Sequence, residues 1–239
     1  AGFAVDLRVD AKREQLVDAV AAFGRTLRDP KVKLAVFYYA GHGVQLDWRN
    51  YLIPVDSAVR SVLDIRQQAV DLSELLKYMS AAEGKTHLVI LDACRDDPFG
   101  GQFKVAHKGL SQFDAPARSL LAYATAPGRV AYDGEGGNGL YTTHLLQELA
   151  VRGARIEDAF KRIRIKVRLA SRGRQIPWES TSLEDDVALF PVAQEPRSQR
   201  DLDGALEAEL KQWTRVRRTG DVDQLGAFLT AFPSGHVSE

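Results

Sequence analysis

Two stretches limit what this chain can fold into. The first, Ala35-Val36-Phe37-Tyr38-Tyr39-Ala40-Gly41-His42-Gly43, is an apolar run of β-forming residues that stops at a histidine between two glycines. The second, Val89-Ile90-Leu91-Asp92-Ala93-Cys94-Arg95, is another apolar run and stops at the only cysteine in the chain. Neither alternates apolar with polar residues. Continuous runs of this kind belong to strands covered on both faces, as in a parallel sheet, where polar residues emerge at strand ends. Ligands bind at the carboxyl ends of the strands in an open α/β sheet, so two neighbouring strands would bring His42 and Cys94 to one crevice. A thiol and an imidazole meeting there would make a nucleophile with its proton acceptor.

The flanking segments support an α/β reading. Phe3 to Val9 alternates as a half-exposed strand does. Asp10 is placed to cap a helix carrying Leu16, Val17, Val20, Phe23 and Leu27 at helical spacing. Val44 to Pro54 reads as a small hairpin, and Asp71-Leu72-Ser73-Glu74 opens a second helix with Leu72, Leu75, Leu76 and Met79 on one face. This order of strand, helix, strand, helix, strand predicts a mostly parallel central sheet flanked by helices. A long loop spans Asp96 to Arg118, followed by a further strand at Ser119 to Thr125 and a glycine-rich loop from Ala126 to Gly139. Helices are expected at Thr142 to Val151 and Ile156 to Ala170, the latter with a basic face that reads as solvated surface. Gln175-Ile176-Pro177-Trp178-Glu179 reads as an edge strand, since proline disrupts a central one. Residues 1–191 thus form the main domain, 192–200 a linker, and 201–239 a helical tail able to pack on that domain or begin a helical repeat region.

Bulk properties exclude more than they assign. Lys+Arg and Asp+Glu both total 32 in 239 residues, so net charge provides no case for nucleic acid or an anionic membrane as partner. No apolar run approaches a transmembrane length, and no signal peptide is evident in the first residues. One cysteine forms no internal disulfide and offers no zinc-ligand spacing, so neither metal nor other cofactor is expected.

Cysteine peptidase chemistry needs a thiol whose proton an imidazole can take and later hand to the leaving amine, with backbone donors for the tetrahedral oxyanion. The amides of Gly43 and Cys94 are the candidates for that oxyanion hole.

Tyr39-Ala40-Gly41-His42-Gly43 and Asp92-Ala93-Cys94-Arg95 resemble the histidine and cysteine motifs of the caspase superfamily, and the 52 residues from His42 to Cys94 agree with the spacing of about 50 seen in caspases. The likeness is greatest to bacterial metacaspase-like proteins, or orthocaspases. It extends through Asn50-Tyr51-Leu52-Ile53-Pro54-Val55-Asp56, Tyr123-Ala124-Thr125-Ala126-Pro127-Gly128 and Gln175-Ile176-Pro177-Trp178-Glu179-Ser180, over about residues 1–191. It implies a caspase-like fold and an endopeptidase acting on peptides or proteins through an acyl-thioester, with His42 and Cys94 catalytic. Caspases have glutamine two residues before the nucleophile and cleave after aspartate; metacaspases have aspartate there and cleave after arginine or lysine. This chain has Asp92, and a carboxylate in a pocket favours a cationic P1 side chain, although Asp92 capping a backbone turn is the plainer alternative. Asp133 and Trp178 are candidates for lining the substrate cleft, Trp178 equally for the core. Lys104, Lys108 and Arg118 are candidate self-cleavage sites in the loop after the nucleophile.

The sequence also departs from the family. The family's first strand and helix are not matched in residues 1–239, which would leave a long unpaired sheet edge. Arg95-Asp96-Asp97 stands where metacaspases commonly have His-Ser-Gly, and of the acids that bind calcium in some relatives only Asp56 has a counterpart, leaving calcium dependence open. The rival reading is a catalytically silent scaffold that recruits protein partners through its helical tail.

Overall fold

The computed structural model describes residues 2–94, 110, 115–126, 131, 137–191, 199–219, 224, 227–228 and 231–232, with the backbone alone at 94, 199–203, 205 and 219. It divides into two compact units, residues 1–191 and 192–239.

In the first unit, helix α1 (Arg13–Thr26) buries Leu16 and Val20, while Val17 is 42% exposed, off the core face. The cap is not Asp10. Lys12 occupies the N-cap position with Gln15 closing onto its amide, and the Arg13 amide donates to Asp56 Oδ1 at 2.9 Å. Strand β1 (Leu34–Leu46) turns into β2 (Arg49–Ile53) through Asp47-Trp48, both at positive φ, as a two-residue hairpin of matching twist requires. Short α2 (Val62–Gln68) and β3 (Val70–Asp71) lead to α3 (Ser73–Ser80), whose Ser73 amide donates to Asp71 Oδ1. Then come β4 (Thr86–Cys94), β5 (Ser119–Tyr123), α4 (Leu140–Leu149), α5 (Ile156–Ala170) and β6 (Trp178–Thr181).

The sheet order is β3-β2-β1-β4-β5-β6. The central β1, β4 and β5 run parallel, while β2 and β6 are antiparallel to their inner neighbours. Strand β4 explains its own apolar run: Val89, Leu91 and Ala93 pack on the α1 and α3 side with Phe37, Leu75 and Met79. Leu88 and Ile90 pack on the other side with Tyr141, Leu145, Phe160 and Ile163 of α4 and α5. All five β4 side chains are at most 2% exposed, and burial of each large one contributes about 1.5–3 kcal/mol.

Two further expectations change. Phe3 to Val9 is not a strand: it runs without ladder pairing, with Val5, Leu7 and Val9 between 72% and 80% exposed. Alternation describes a segment that suits a sheet, but a ladder needs a neighbour within hydrogen-bonding distance. Strand β1 pairs with β2 only from His42 onward, so on that side Leu34 to Gly41 has no strand partner among the described residues. A groove of about 1000 Å³ runs along this edge, bordered by Val9, Phe37, Tyr38, His42 and Val55. The basic face of α5 is also more than solvated surface. Arg162 and Lys166 converge at 2.6 and 2.5 Å on Glu148 of α4, which is 4% exposed, and Arg164 pairs with Glu179.

In the second unit, α6 (Gln199–Thr219) carries Trp213, whose ring lies 5.5 Å from that of the fully buried Phe228; Phe232 stacks 5.2 Å beyond. Among the described residues no helix is long and apolar enough to cross a membrane.

Candidate active site

The parallel register of β1 on β4 sets Ala40 level with Asp92, Gly41 with Ala93 and His42 with Cys94. Adjacent strands lie about 4.8 Å apart, so the backbones of the two predicted catalytic residues are direct neighbours. They form the last pair of the parallel β1–β4 ladder; β4 ends there, while β1 continues to Leu46 in the hairpin with β2. His42 is solvent-exposed.

Both glycines around His42 are demanded by close packing. The half-buried Tyr39 hydroxyl shares its single proton between the carbonyls of His42 at 2.9 Å and Ile53 at 3.1 Å, two residues that pair across the open end of the β1–β2 hairpin. Burial pushes this phenol well above its ordinary pKa, so it remains a donor. A Cβ on Gly41 would sit 2.7 Å from that hydroxyl. A Cβ on Gly43 would sit 3.0 Å from Leu110 Cδ2 and 3.3 Å from the Ala93 Cβ. Gly43, assigned to the oxyanion hole from sequence, is buried in the β1–β2 ladder opposite Leu52. Leu110, at 1% exposure, belongs to the same core cluster as Ala93.

Asp92 is half-buried on the α4 side of the sheet. The Thr142 hydroxyl donates to its Oδ2 at 2.5 Å, and the Tyr38 hydroxyl lies 2.7 Å from Thr142 Oγ1. The carboxylate therefore makes a side-chain contact across elements, not simply a turn cap. The neighbouring Tyr141 phenol is fully buried and raised far above its usual pKa, chiefly by burial and further by the charge of Asp92.

The other predicted residues lie apart or undescribed. Trp178 opens β6 opposite Tyr123, at the same carboxyl edge but two strands beyond β4, and at 42% exposure it is not a core residue. Arg118 precedes β5, its guanidinium forked onto Glu184 at 3.0 Å and Asp185 at 2.5 Å. Its carbonyl accepts the His87 amide, so the 118–119 peptide bond is part of the sheet margin. Asp133, Lys104 and Lys108 lie outside the described residues. Asp56 has a structural use as the acceptor for the first turn of α1, and among the described residues no group of three or more His, Cys, Asp or Glu is arranged to hold a metal ion.

Sequence reasoning missed Tyr38, Tyr39, Thr142 and Leu110. Tyr38 had a signal, since period-two alternation sets it on the face of Ala40, level with Asp92. Thr142 had none, being 50 residues from Asp92 in sequence.

Residues 1–188 match the sequence profile described as the caspase domain. The crystal structure of caspase-1 from Spodoptera frugiperda superposes with a TM-score of 0.53 at 16% sequence identity, covering 81% of this chain and 77% of that one. No curated protein matches the sequence significantly.

Proposed function

The chain belongs to the caspase-domain family of cysteine peptidases, and on that premise we propose that it is an endopeptidase using His42 and Cys94 to cleave after arginine or lysine. The observation that carries this reading is the level pairing of His42 with Cys94 as the last pair of the parallel β1–β4 ladder. His42 takes the thiol proton and the Cys94 sulfur attacks the scissile carbonyl carbon. The resulting oxyanion is stabilised by the amides of Gly43 and Cys94. The tetrahedral adduct collapses as His42 protonates the leaving amine, leaving an acyl-thioester. Water, deprotonated by His42, then attacks it, releasing the carboxylic acid product and the free thiol. This chemistry needs no cofactor.

Asp92 reads the basic P1 side chain through a charge-assisted hydrogen bond, while Asp133 and Trp178 line the cleft. Self-processing, if it accompanies this activity, falls at Lys104 or Lys108 more readily than at Arg118, whose side chain and carbonyl are both engaged. The helical tail recruits protein partners.

The test compares turnover of otherwise identical arginyl, lysyl and aspartyl peptide amides by the wild type, Cys94→Ala and His42→Ala. Turnover of the basic substrates, absent in both variants, is expected; preference for the aspartyl peptide, or activity surviving Cys94→Ala, defeats the reading. A silent scaffold would show no His42-dependent labelling of Cys94 by an arginyl electrophile.

A further inference from the structure

We propose that Thr142 and Tyr38 are positioning residues of the P1 pocket, acting through Asp92; the proposal rests on the reading of Asp92 as the residue that recognises a basic side chain. The geometry fixes the direction of the hydrogen bonds. Thr142 Oγ1 carries one proton, which it donates to Asp92 Oδ2 at 2.5 Å. Its 2.7 Å contact with the Tyr38 hydroxyl therefore has the phenol as donor. The chain runs Tyr38 to Thr142 to Asp92, linking β1, α4 and β4 through side chains alone.

Its position gives the relay a use. A carboxylate two bonds from the backbone can swivel about χ1 and χ2, and a cation bound by a swivelling partner must first order it. Thr142 is 9% exposed and lies in the first turn of α4, whose amino-terminal end also favours the negative charge it faces. The residue level with Asp92 on β1 is Ala40, whose side chain is only a methyl group. Tyr38, two residues earlier and 44% exposed, extends from the same strand to hold Thr142 in register. The pocket is thus ordered before a guanidinium or ammonium arrives, and losing the relay weakens ground-state binding more than the chemical step.

The test is steady-state kinetics on an arginyl peptide amide. Hydrogen bonds to charged groups are strong enough that Thr142→Val should raise KM roughly tenfold or more, with kcat within about twofold of wild type. Thr142→Ser, which keeps the donor, should stay within about twofold on both parameters. Tyr38→Phe should raise KM by a smaller factor, about threefold. KM unmoved in Thr142→Val, a fall confined to kcat, or Thr142→Ser behaving like Thr142→Val overturns the proposal. Should Thr142→Val fail to fold, Tyr38→Phe decides, and an unchanged KM there is equally fatal. Wild type that turns over the arginyl peptide while the variants remain normal sinks the relay alone; wild type that prefers an aspartyl peptide, or cleaves neither, sinks the reading of Asp92 and the relay with it.

Discussion

Gly41 and Tyr39 should be energetically coupled, and the coupling can be worked from the packing around His42. The Tyr39 hydroxyl shares one proton between the carbonyls of His42 and Ile53, a three-centre hydrogen bond contributing about 0.5–1.5 kcal/mol. Tyr39→Phe removes it, costing about 0.5–1.5 kcal/mol. In Gly41→Ala the new Cβ would lie 2.7 Å from that hydroxyl and 2.9 Å from Cζ, so the ring must retreat by several tenths of an ångström. Contacts of 2.9 and 3.1 Å then stretch past useful length, and overpacking adds about 1–3 kcal/mol of strain. In the Tyr39→Phe background the hydrogen bond is already gone and the nearest atom is absent, so Gly41→Ala costs less. A double-mutant cycle by urea denaturation, with midpoints compared at constant m, should return a coupling of about 1–2 kcal/mol. Costs that add to within about 0.5 kcal/mol would refute the claim that Gly41 is glycine to admit the Tyr39 hydroxyl.

His87, fully buried at the start of β4, has its pKa pushed below 6.5 by burial and, secondarily, by the charge of Lys85. The unfolded chain binds the proton more readily, so this contribution to stability is complete above pH 6.5 and erodes as pH falls below it, at up to about 1.4 kcal/mol per unit. Urea midpoints between pH 7.5 and 5 should fall less steeply in His87→Leu; equal slopes would exclude His87 as their source. Leu110→Ala, which empties the space against Gly43 and Ala93, should cost about 2–5 kcal/mol. Gly43→Ala should be cheaper in that background than alone, which thermal melts of the four proteins will show.

Much of the fold was legible because burial on both faces leaves a local record. The runs ending at His42 and Cys94 are continuous since β1 and β4 are sandwiched between α1 and α3 on one side and α4 and α5 on the other. The alternation rule misled at Phe3 to Val9, where residue pattern indicates a strand but no ladder partner lies in register among the described residues. Capping was likewise ambiguous, for Asp10 has the right chemistry and adjacency, yet the carboxylate that receives the Arg13 amide belongs to Asp56, 43 residues away.

By itself, then, the amino-acid order determined which segments are buried strands, which helices are amphipathic, and that a histidine and a cysteine follow two such apolar runs. Only the tertiary structure decided that those strands are parallel neighbours with His42 level with Cys94, and that Asp92 accepts from Thr142, which in turn bonds Tyr38. The reason is physical: periodicity reflects the average environment of one face, whereas register and hydrogen-bond partners depend on a few short-range contacts between distant segments, which leave no repeating trace in sequence.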